Sequence, residues 1–161
     1  MELHFRTATA SDFAAIKTLV IDSFEPITWQ KKLDQQFGAL NGLDWRERWN
    51  HRLEKIFASQ IVLVGDLISI GEQSGQIAAM ATATVDHAAA LAFIDVLAVG
   101  KSHQGEGLGR LMLQGIIAHV KSLGCRYVNL DCLTDNDAGN ALYQSAGFTE
   151  VARHIRWFKE I

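Results

Sequence analysis

Hydrophobic and polar positions along the chain follow two periods, one typical of strands and one typical of helices. Alternation with a period of two predicts a strand over 2–8. Apolar residues at helical spacing, with capping residues before them, predict helices over 12–24, 44–58, 107–123 and 137–145. Residues 28–42 are ambiguous between a loop and a short helix that ends at Gly38 or Gly42.

Apolar stretches rich in β-formers predict the remaining strands. Segment 61–72 has this composition, but Gly65-Asp66 interrupts it, so the strand is predicted at 67–72. A hairpin turn is predicted at 73–76. The other predicted strands lie at 77–86, 91–99, 126–132 and 149–158.

The order of these elements, β-α-α-β-β-β-α-β-α-β, restricts the topology. Strands joined by hairpins run antiparallel, whereas a helical crossover makes strands 91–99 and 126–132 parallel. We therefore predict an α/β fold of the α+β type in a single domain over 1–161. Its sheet is mixed and mostly antiparallel, with six to seven strands and helices on both faces.

Composition excludes several function classes. The 161 residues are 48% hydrophobic and 20% charged, with a formal net charge of −3, so neither a basic field for nucleic acid nor disorder is indicated. No apolar run reaches the roughly 20 residues that span a bilayer, and no leader pattern precedes 2–8, so a cytoplasmic protein with no membrane partner is expected. Cys125 and Cys132 form no CxxC pair and the histidines lack ligand spacing, so no metal is expected.

A glycine-rich turn carries the first chemical signal. Gly105, Gly107 and Gly109 follow a predicted strand and open a predicted helix. Without Cβ atoms the backbone can approach a ligand, and amides at a helix N-terminus attract an anion. Lys101 and His103 add positive charge nearby, which favours a phosphate-bearing cofactor. A Walker A motif is missing, and Arg110 stands where a dinucleotide fingerprint needs its last glycine.

The pattern Gln-x-x-Gly-x-Gly at 104–109 resembles the coenzyme A pyrophosphate loop of the GNAT-type N-acetyltransferase superfamily. Residues 94–99, Ile-Asp-Val-Leu-Ala-Val, resemble the strand before that loop. Residues 136–148 resemble the signature Asn-x-x-Ala-x-x-Leu-Tyr-x-x-x-Gly-Phe, with Gly139 where alanine is usual. The resemblance covers about 90–150 strongly and implies acetyl-CoA as the acyl donor.

The resemblance implies that 91–148 forms the cofactor and catalytic core. Backbone groups of Leu97 and Val99 would bond the acyl-carrying arm, and an amide there, foremost that of Leu97, would polarise the thioester carbonyl. The amides of 104–110 would hold the pyrophosphate. The implied cofactor-binding residues are Leu97, Ala98, Val99, Gln104, Gly105, Glu106, Gly107, Leu108, Gly109, Arg110, Asn136 and Tyr143.

The resemblance also places the catalytic groups. Tyr143 is the predicted general acid, because a phenol with a pKa near 10 is protonated at neutral pH. The base stays open between two carboxylates. Asp131 stands where N-terminal-protein acetyltransferases of the superfamily carry a glutamate, and its shorter side chain favours a water relay. Asp95 could accept a proton or attract a cationic amine.

Residues 25–60 are predicted to form the acceptor side. The candidate substrate-binding residues there are Trp29, Phe37 and Glu25. Trp45 and Trp49 are interpreted as core, because their helical stripe continues at Leu53 and Ile56.

The expected activity is acetyl transfer from acetyl-CoA to a primary amine by direct attack in a ternary complex. The acceptor is a small-molecule or peptide amine, and no nucleic acid partner is expected. The alternatives are a protein N-terminal or lysine acetyltransferase and a non-catalytic coenzyme A-binding sensor. Because members of the superfamily often form dimers, the resemblance also allows a homodimer.

Overall fold

The computed structural model describes residues 2–69, 71–72 and 75–161. Within that part of the chain the strands are Leu3–Thr7 (β1), Ile61–Leu67 (β2), Gln76–Asp86 (β3), Leu91–Val99 (β4) and Tyr127–Leu130 (β5). The α-helices are Phe13–Phe24 (α1), Trp29–Phe37 (α2), Trp45–Ser59 (α3), Leu108–Ser122 (α4) and Asp137–Ser145 (α5). Short 3-10 turns lie at Ala10–Asp12 and Lys101–His103.

The strands form one mixed sheet in the order β1-β2-β3-β4-β5. The pairs are antiparallel from β1 to β4, and β4 and β5 are parallel, which confirms the predicted mixed sheet and its crossover. The prediction of six to seven strands is wrong, because the described residues form five and 149–158 is not a strand. Alternation of apolar and polar residues favours a strand. A strand forms, however, only where a neighbouring strand pairs with its backbone N–H and C=O groups.

Strand β2 lies earlier in the chain than predicted, at Ile61–Leu67 rather than 67–72. Gly65 and Asp66 do not end the strand, because a register shift between them absorbs the irregularity. A Cβ at Gly65 would lie 3.1 Å from Leu3 Cδ1 and 3.3 Å from Met112 Sδ, so glycine permits close packing. Of the predicted turn at 73–76, residues 73 and 74 lie outside the described residues.

The ambiguous segment 28–42 contains a helix, α2, so the short-helix alternative is confirmed. Thr28 caps it by accepting a hydrogen bond from the Gln30 backbone N–H at 3.3 Å. Gly38 ends it with a φ of 78°, in the left-handed region that favours glycine. Strand β5 is shorter than the predicted 126–132.

Helices cover both faces of the sheet, as predicted. Buried residues of α1 and α3 pack with Val62 and Val64 on one face, whereas α4 packs with Leu63 on the other. Trp45 and Trp49 are each only 4% exposed, which confirms their interpretation as core. The sheet is therefore rigidly supported along β2, β3 and β4, and its less covered end is β5.

Candidate active site

Strands β4 and β5 part in the middle of β4. They pair only from Leu91 opposite Tyr127 to Ile94 opposite Leu130. On the other side of β4 the register passes from Ile94 to Val96, so Asp95 is an extra, bulged residue. Bulges bend a strand and redirect its side chains. The second half of β4 therefore has an unpaired edge on the side of β5.

Backbone groups of Leu97 and Val99 face this open edge. The Val96 N–H donates to Thr82 Oγ1 at 3.1 Å, and the Gly100 N–H donates to the Ala78 carbonyl at 2.8 Å, so both point toward β3. Successive residues of an extended strand direct their peptide groups to opposite edges. The intervening odd-numbered residues therefore present their amides and carbonyls to the gap between β4 and β5.

The glycine-rich turn lies where β4 ends and α4 begins. Gly105 and Gly107 both have a φ of 82°, and Gly107 is the N-cap of α4. No atom lies within 4 Å of a Cβ built at either position, so side chains there would enter open space in front of the turn. The first N–H groups of a helix have no partner within it, so the start of α4 can bind an anion.

Three elements converge at the start of α4. A Cβ at Gly109 would lie 3.6 Å from Leu142 Cδ2 of α5 and 3.7 Å from Val99 Cγ2 of β4. The Arg110 guanidinium donates to Ser145 Oγ on α5, and the Gln104 side chain donates to the Val99 carbonyl at 3.3 Å. The structure thus brings the predicted cofactor residues of β4, the turn and α5 to one place.

Tyr143 lies on the inner side of α5. It packs against the core next to Phe148, with ring centroids 5.9 Å apart. Burial, together with the charge that a Cys132 thiolate would carry, raises the pKa of Tyr143 to about 12. The hydroxyl therefore keeps its proton at neutral pH, as a general acid requires.

Cys132 and Asn136 surround the start of α5. Asn136 is the N-cap, and its Oδ1 accepts a hydrogen bond from the Gly139 N–H at 3.1 Å. A Cβ at Gly139 would lie 2.6 Å from Asn136 Nδ2 and 3.0 Å from Cys132 Sγ. A Cβ at Gly139 would therefore require the side chains of Asn136 and Cys132 to move. Burial raises the pKa of the Cys132 thiol, which keeps the sulfur protonated.

The two candidate bases differ in their surroundings. Asp95 is held toward α3, where Arg52 donates to Oδ1 at 2.6 Å and Gln60 donates to Oδ2 at 2.9 Å. Asp131 is exposed and directly follows β5, one residue before Cys132. Both oxygens of Asp95 are thus engaged, whereas Asp131 is exposed to solvent.

The predicted acceptor residues lie on or near α2. Trp29 has the Arg156 guanidinium 4.1 Å above its ring, and Phe37 has the Phe158 ring 4.7 Å away. The pKa of the Glu25 carboxyl is lowered by a hydrogen bond from Lys31 at 3.4 Å and by the charge of Arg46, which lies 3.0 Å away. Each of the three residues has different neighbours, so they do not form a shared cage.

Sequence reasoning missed the residues that fix this geometry from a distance. Arg52 and Gln60 hold Asp95 across 43 and 35 residues of sequence. Lys32 of α2 bonds Asp135 in the loop after β5, across 103 residues. No local pattern marks such pairs, because only the folded sheet brings them together.

Two observations delimit the chemistry. No group of three or more His, Cys, Asp or Glu side chains suited to a metal ion occurs within 2–69, 71–72 and 75–161. In the same ranges no helix is both long and apolar enough to cross a membrane.

The Acetyltransferase (GNAT) family matches residues 34–148, more than half of the chain. The chain therefore belongs to the GNAT family, whose members are acyltransferases that use acetyl-CoA. The match includes β4, the glycine-rich turn and α5.

Two curated relatives resemble part of the chain. A mycothiol acetyltransferase of Geodermatophilus obscurus is 40% identical over 62 residues, which are 38% of this chain and 20% of that protein. The N-alpha-acetyltransferase RimI of Mycobacterium tuberculosis is 33% identical over 66 residues, which are 41% and 40% of the two chains. The chain thus matches less than half the length of each of these relatives.

Solved structures agree in fold. AAC(6')-Iy, in complex with the bisubstrate analogue CoA-S-monomethyl-acetylneamine, has a TM-score of 0.67 at 14% identity over the full length of both chains. Apo aminoglycoside 6'-N-acetyltransferase AAC(6')-IG of Acinetobacter haemolyticus has a TM-score of 0.66 at 16% identity, over 98% of this chain and 99% of that one. At such identities the likeness shows the fold alone.

Proposed function

We propose that the protein is an N-acetyltransferase that moves an acetyl group from acetyl-CoA to a primary amine by direct attack in a ternary complex. The observation that carries this proposal is the unpaired edge of β4 at Leu97 and Val99. This edge ends at the glycine-rich turn, and α5 with Tyr143 meets the same turn. Backbone donors, an anion site and a protonated hydroxyl therefore occur together.

The residues present fit acetyl-CoA. The free amides of Gly105 to Arg110 would hold a diphosphate, since the start of α4 offers unpaired N–H groups and open space before Gly105 and Gly107. Leu97 and Val99 would bond an extended, amide-containing arm as a neighbouring strand does. When bound, acetyl-CoA supplies an acyl group activated as a thioester.

The chain's own groups meet the other demands of the reaction. The Leu97 N–H is positioned to donate to a carbonyl oxygen in the gap, where a fixed dipole stabilises developing negative charge. Tyr143 holds a proton on its hydroxyl, with its pKa raised to about 12. Of the two carboxylates, Asp131 is the one proposed to take a proton from the amine through water, because it is exposed and both oxygens of Asp95 are engaged.

Direct attack is favoured over an acyl-enzyme. Cys132 is the thiol nearest Tyr143, and burial raises its pKa. A protonated thiol is a poor nucleophile, because the thiolate is the reactive form. The amine itself is then the attacking group.

Two classes of amine are candidates for the acceptor. The 40% identity to a mycothiol acetyltransferase over 62 residues favours a small-molecule amine. The position of Asp131 and the 33% identity to RimI over 66 residues favour a protein N-terminus as the second candidate. Lysine side chains of proteins are a further candidate acceptor and are included in the experiment below.

Thiol release tests the proposal. Purified protein is mixed with acetyl-CoA and a panel of aminoglycosides, polyamines, S-methylated cysteinyl glycosides, and N-terminal and lysine peptides without cysteine, and free thiol is followed with a chromogenic disulfide. We expect at least one amine to release thiol and to gain one acetyl group by mass spectrometry. If coenzyme A binds in a calorimeter but no amine releases thiol, the protein is a sensor and the proposal fails.

Asp131→Asn is expected to lower kcat/KM about tenfold at pH 7, below the roughly 10²–10⁴-fold typical of direct proton transfer, because a water relays the proton. The deficit should shrink as pH rises, because an amine with a pKa near 10 is increasingly neutral in solution. A pH series of kcat/KM for the variant and the wild type measures this convergence.

Asp95→Asn is the matched comparison, since it keeps the shape of the side chain but removes the charge that faces Arg52 and one of the two oxygens that accept from Arg52 and Gln60. We expect it to lower the thermal midpoint and leave the shape of the pH profile unchanged. A changed acid limb in Asp95→Asn, with a wild-type profile in Asp131→Asn, would reverse the assignment of the base.

A further inference from the structure

The bulge at Asp95 changes the face of the sheet on which the residues of β4 lie. Before the bulge, Ala92 and Ile94 are buried in the core that contains the apolar residues of α4. After the bulge, Val96 and Ala98 are buried in the other core, with residues of α1 and α3. Even-numbered residues thus lie on opposite faces in the two halves of one strand, which a regular alternation with a period of two does not allow.

The same extra residue decides which peptide groups of β4 face the gap between β4 and β5. Successive residues direct their peptide groups to opposite edges of a strand, so a shift of one residue exchanges the two sets. With the bulge, the groups of Leu97 and Val99 face the gap. Without it, those of Val96 and Ala98 would take their place. The bulge is therefore the feature that makes the Leu97 N–H available in the gap.

Thr82 stabilises the bulge from the side of β3. Its Oγ1 accepts a hydrogen bond at 3.1 Å from the N–H of Val96, the residue that follows the bulge. Thr82 is the only polar residue in the buried stretch 78–83 of β3 and is 0% exposed. Burying a hydroxyl is costly unless it is hydrogen-bonded. Thr82 thus places a polar atom in the core at the position where β4 departs from regular pairing.

Two side chains of α3 hold the bulged residue from the other direction. Arg52 donates to Asp95 Oδ1 at 2.6 Å, and Gln60 donates to Asp95 Oδ2 at 2.9 Å. The Asp95 side chain is only 16% exposed, and hydrogen bonds between charged groups are stronger than those between neutral ones. Both bonds keep the Asp95 side chain on the α3 side of the sheet, where the next residue, Val96, is also buried. Consecutive side chains on one side of a strand require an irregularity such as a bulge.

Arg52 is itself supported by buried residues. Its guanidinium lies 4.6 Å above the ring of Trp49, which is buried in the core, and a cation is attracted to the face of an aromatic ring. The Trp49 Nε1–H donates to Thr28 Oγ1 at 3.2 Å, and Thr28 caps α2. The guanidinium that holds the bulge is therefore fixed by the core of α3 and by the start of α2.

We propose that the β4 bulge directs the Leu97 N–H to the thioester carbonyl of acetyl-CoA, and that three side chains are positioning residues because they fix this bulge. They are Thr82 of β3 and Arg52 and Gln60 of α3. The inference rests on the proposed function, in which the Leu97 N–H polarises that carbonyl. A donor stabilises developing charge only when it is already correctly placed, so a small displacement of the bulge is enough to weaken it. Asp95 then acts as the attachment point of the bulge.

Amide hydrogen exchange in the ligand-free protein tests whether the bulge is fixed in this way. In the isotope-labelled wild type, nuclear magnetic resonance should show a protected Val96 N–H and a faster-exchanging Leu97 N–H. Arg52→Met removes the donor to Asp95 Oδ1 and should cause a loss of Val96 protection. The Gly100 N–H, which donates to β3 just after β4 ends, should keep its protection and is the internal reference. Unchanged protection of Val96 would overturn the proposal.

Infrared difference spectroscopy tests the consequence for acetyl-CoA, isotope-labelled at its carbonyl carbon. A hydrogen bond to a carbonyl lowers its stretching frequency. We therefore expect the frequency of bound acetyl-CoA to rise above the wild-type value in Arg52→Met and in Thr82→Val, which keeps the shape of the side chain but lacks the acceptor. Thr82→Ser keeps the acceptor and should keep the wild-type frequency. Affinity for coenzyme A, measured by calorimetry, should stay near that of the wild type, because the glycine-rich turn is unchanged.

Lys17→Met is the matched control for Arg52→Met. Lys17 also forms an ion pair with a carboxylate, that of Glu54 at 3.1 Å, and lies 4.4 Å above an aromatic ring, that of Phe13. Its ion pair joins α1 to α3 rather than α3 to the bulge, so both the exchange pattern and the carbonyl frequency should match the wild type. The Arg52 side chain is 37% exposed, so Arg52→Met decides the question even if a variant of the buried Thr82 does not fold.

The outcomes separate this inference from the proposed function. If the wild type binds acetyl-CoA and the carbonyl frequency is the same in every variant, the positioning role is overturned and the proposed function stands. A rise in frequency that also occurs in Lys17→Met or Thr82→Ser would reflect a general loss of stability and would overturn the positioning role as well. If the wild type does not bind acetyl-CoA, the proposed function fails, and the positioning role toward the carbonyl fails with it.

Discussion

Tyr143→Phe should retain wild-type affinity for coenzyme A and lose about 10²–10³-fold in kcat, within the usual range for a general acid. The substitution removes one hydroxyl and keeps the ring that packs beside Phe148. Because the pKa of Tyr143 is raised to about 12, the wild-type hydroxyl stays protonated up to about pH 10. Calorimetric titration with coenzyme A and steady-state thiol release separate the two effects.

Tyr127→Phe is the matched control, since the chain has only two tyrosines and Tyr127 is 58% exposed on β5. It should leave kcat unchanged. The alkaline side of the wild-type profile should show no fall from tyrosine ionisation below about pH 10, because ionisation follows the raised pKa. A Tyr143→Phe enzyme with wild-type turnover would remove the general-acid role.

The parts of the site that local sequence determines could be predicted. The glycine-rich turn needs positive φ angles at Gly105 and Gly107, and Asn136 acts as an N-cap within four residues of its partner. Such features depend on short-range backbone geometry, so a motif is enough to identify them.

Features that depend on the assembled sheet could not be predicted. No residue near Asp95 in sequence indicates that Arg52 and Gln60 donate hydrogen bonds to its two carboxylate oxygens. Gly65-Asp66 predicts an interruption of the strand, but Gly65 lies inside β2, where pairing with β3 continues past a register shift. The Asp95 contacts and the position of β2 both depend on residues of other elements, which the local sequence does not reveal.

The segment after Phe148 shows the opposite problem. Its residues alternate as in a strand, but the strand prediction at 149–158 is wrong, because no backbone hydrogen bond of the described residues joins the segment to the sheet. A sequence pattern reports which side chains a segment could bury, but not whether another strand pairs with it.

Gly107→Val should abolish coenzyme A binding, with a loss of affinity of at least about 100-fold, equivalent to ~2.7 kcal/mol. Gly107 is the N-cap of α4 with a φ of 82°, a conformation that a β-branched residue strongly disfavours. Relaxation of that strain would turn the first amides of α4 away from a common anion, and the new side chain would enter the space in front of them.

Gly124→Val separates this effect from backbone strain. Gly124 has a φ of 98° and equally open surroundings, but it follows the other end of α4. Both variants should lose similar thermal stability, about 1–3 kcal/mol for a residue held in a disfavoured region. Only Gly107→Val should lose binding, measured by calorimetry with coenzyme A. Equal affinities of the two variants for coenzyme A would mean that Gly107→Val acts only through backbone strain. The diphosphate would then bind elsewhere than at the start of α4.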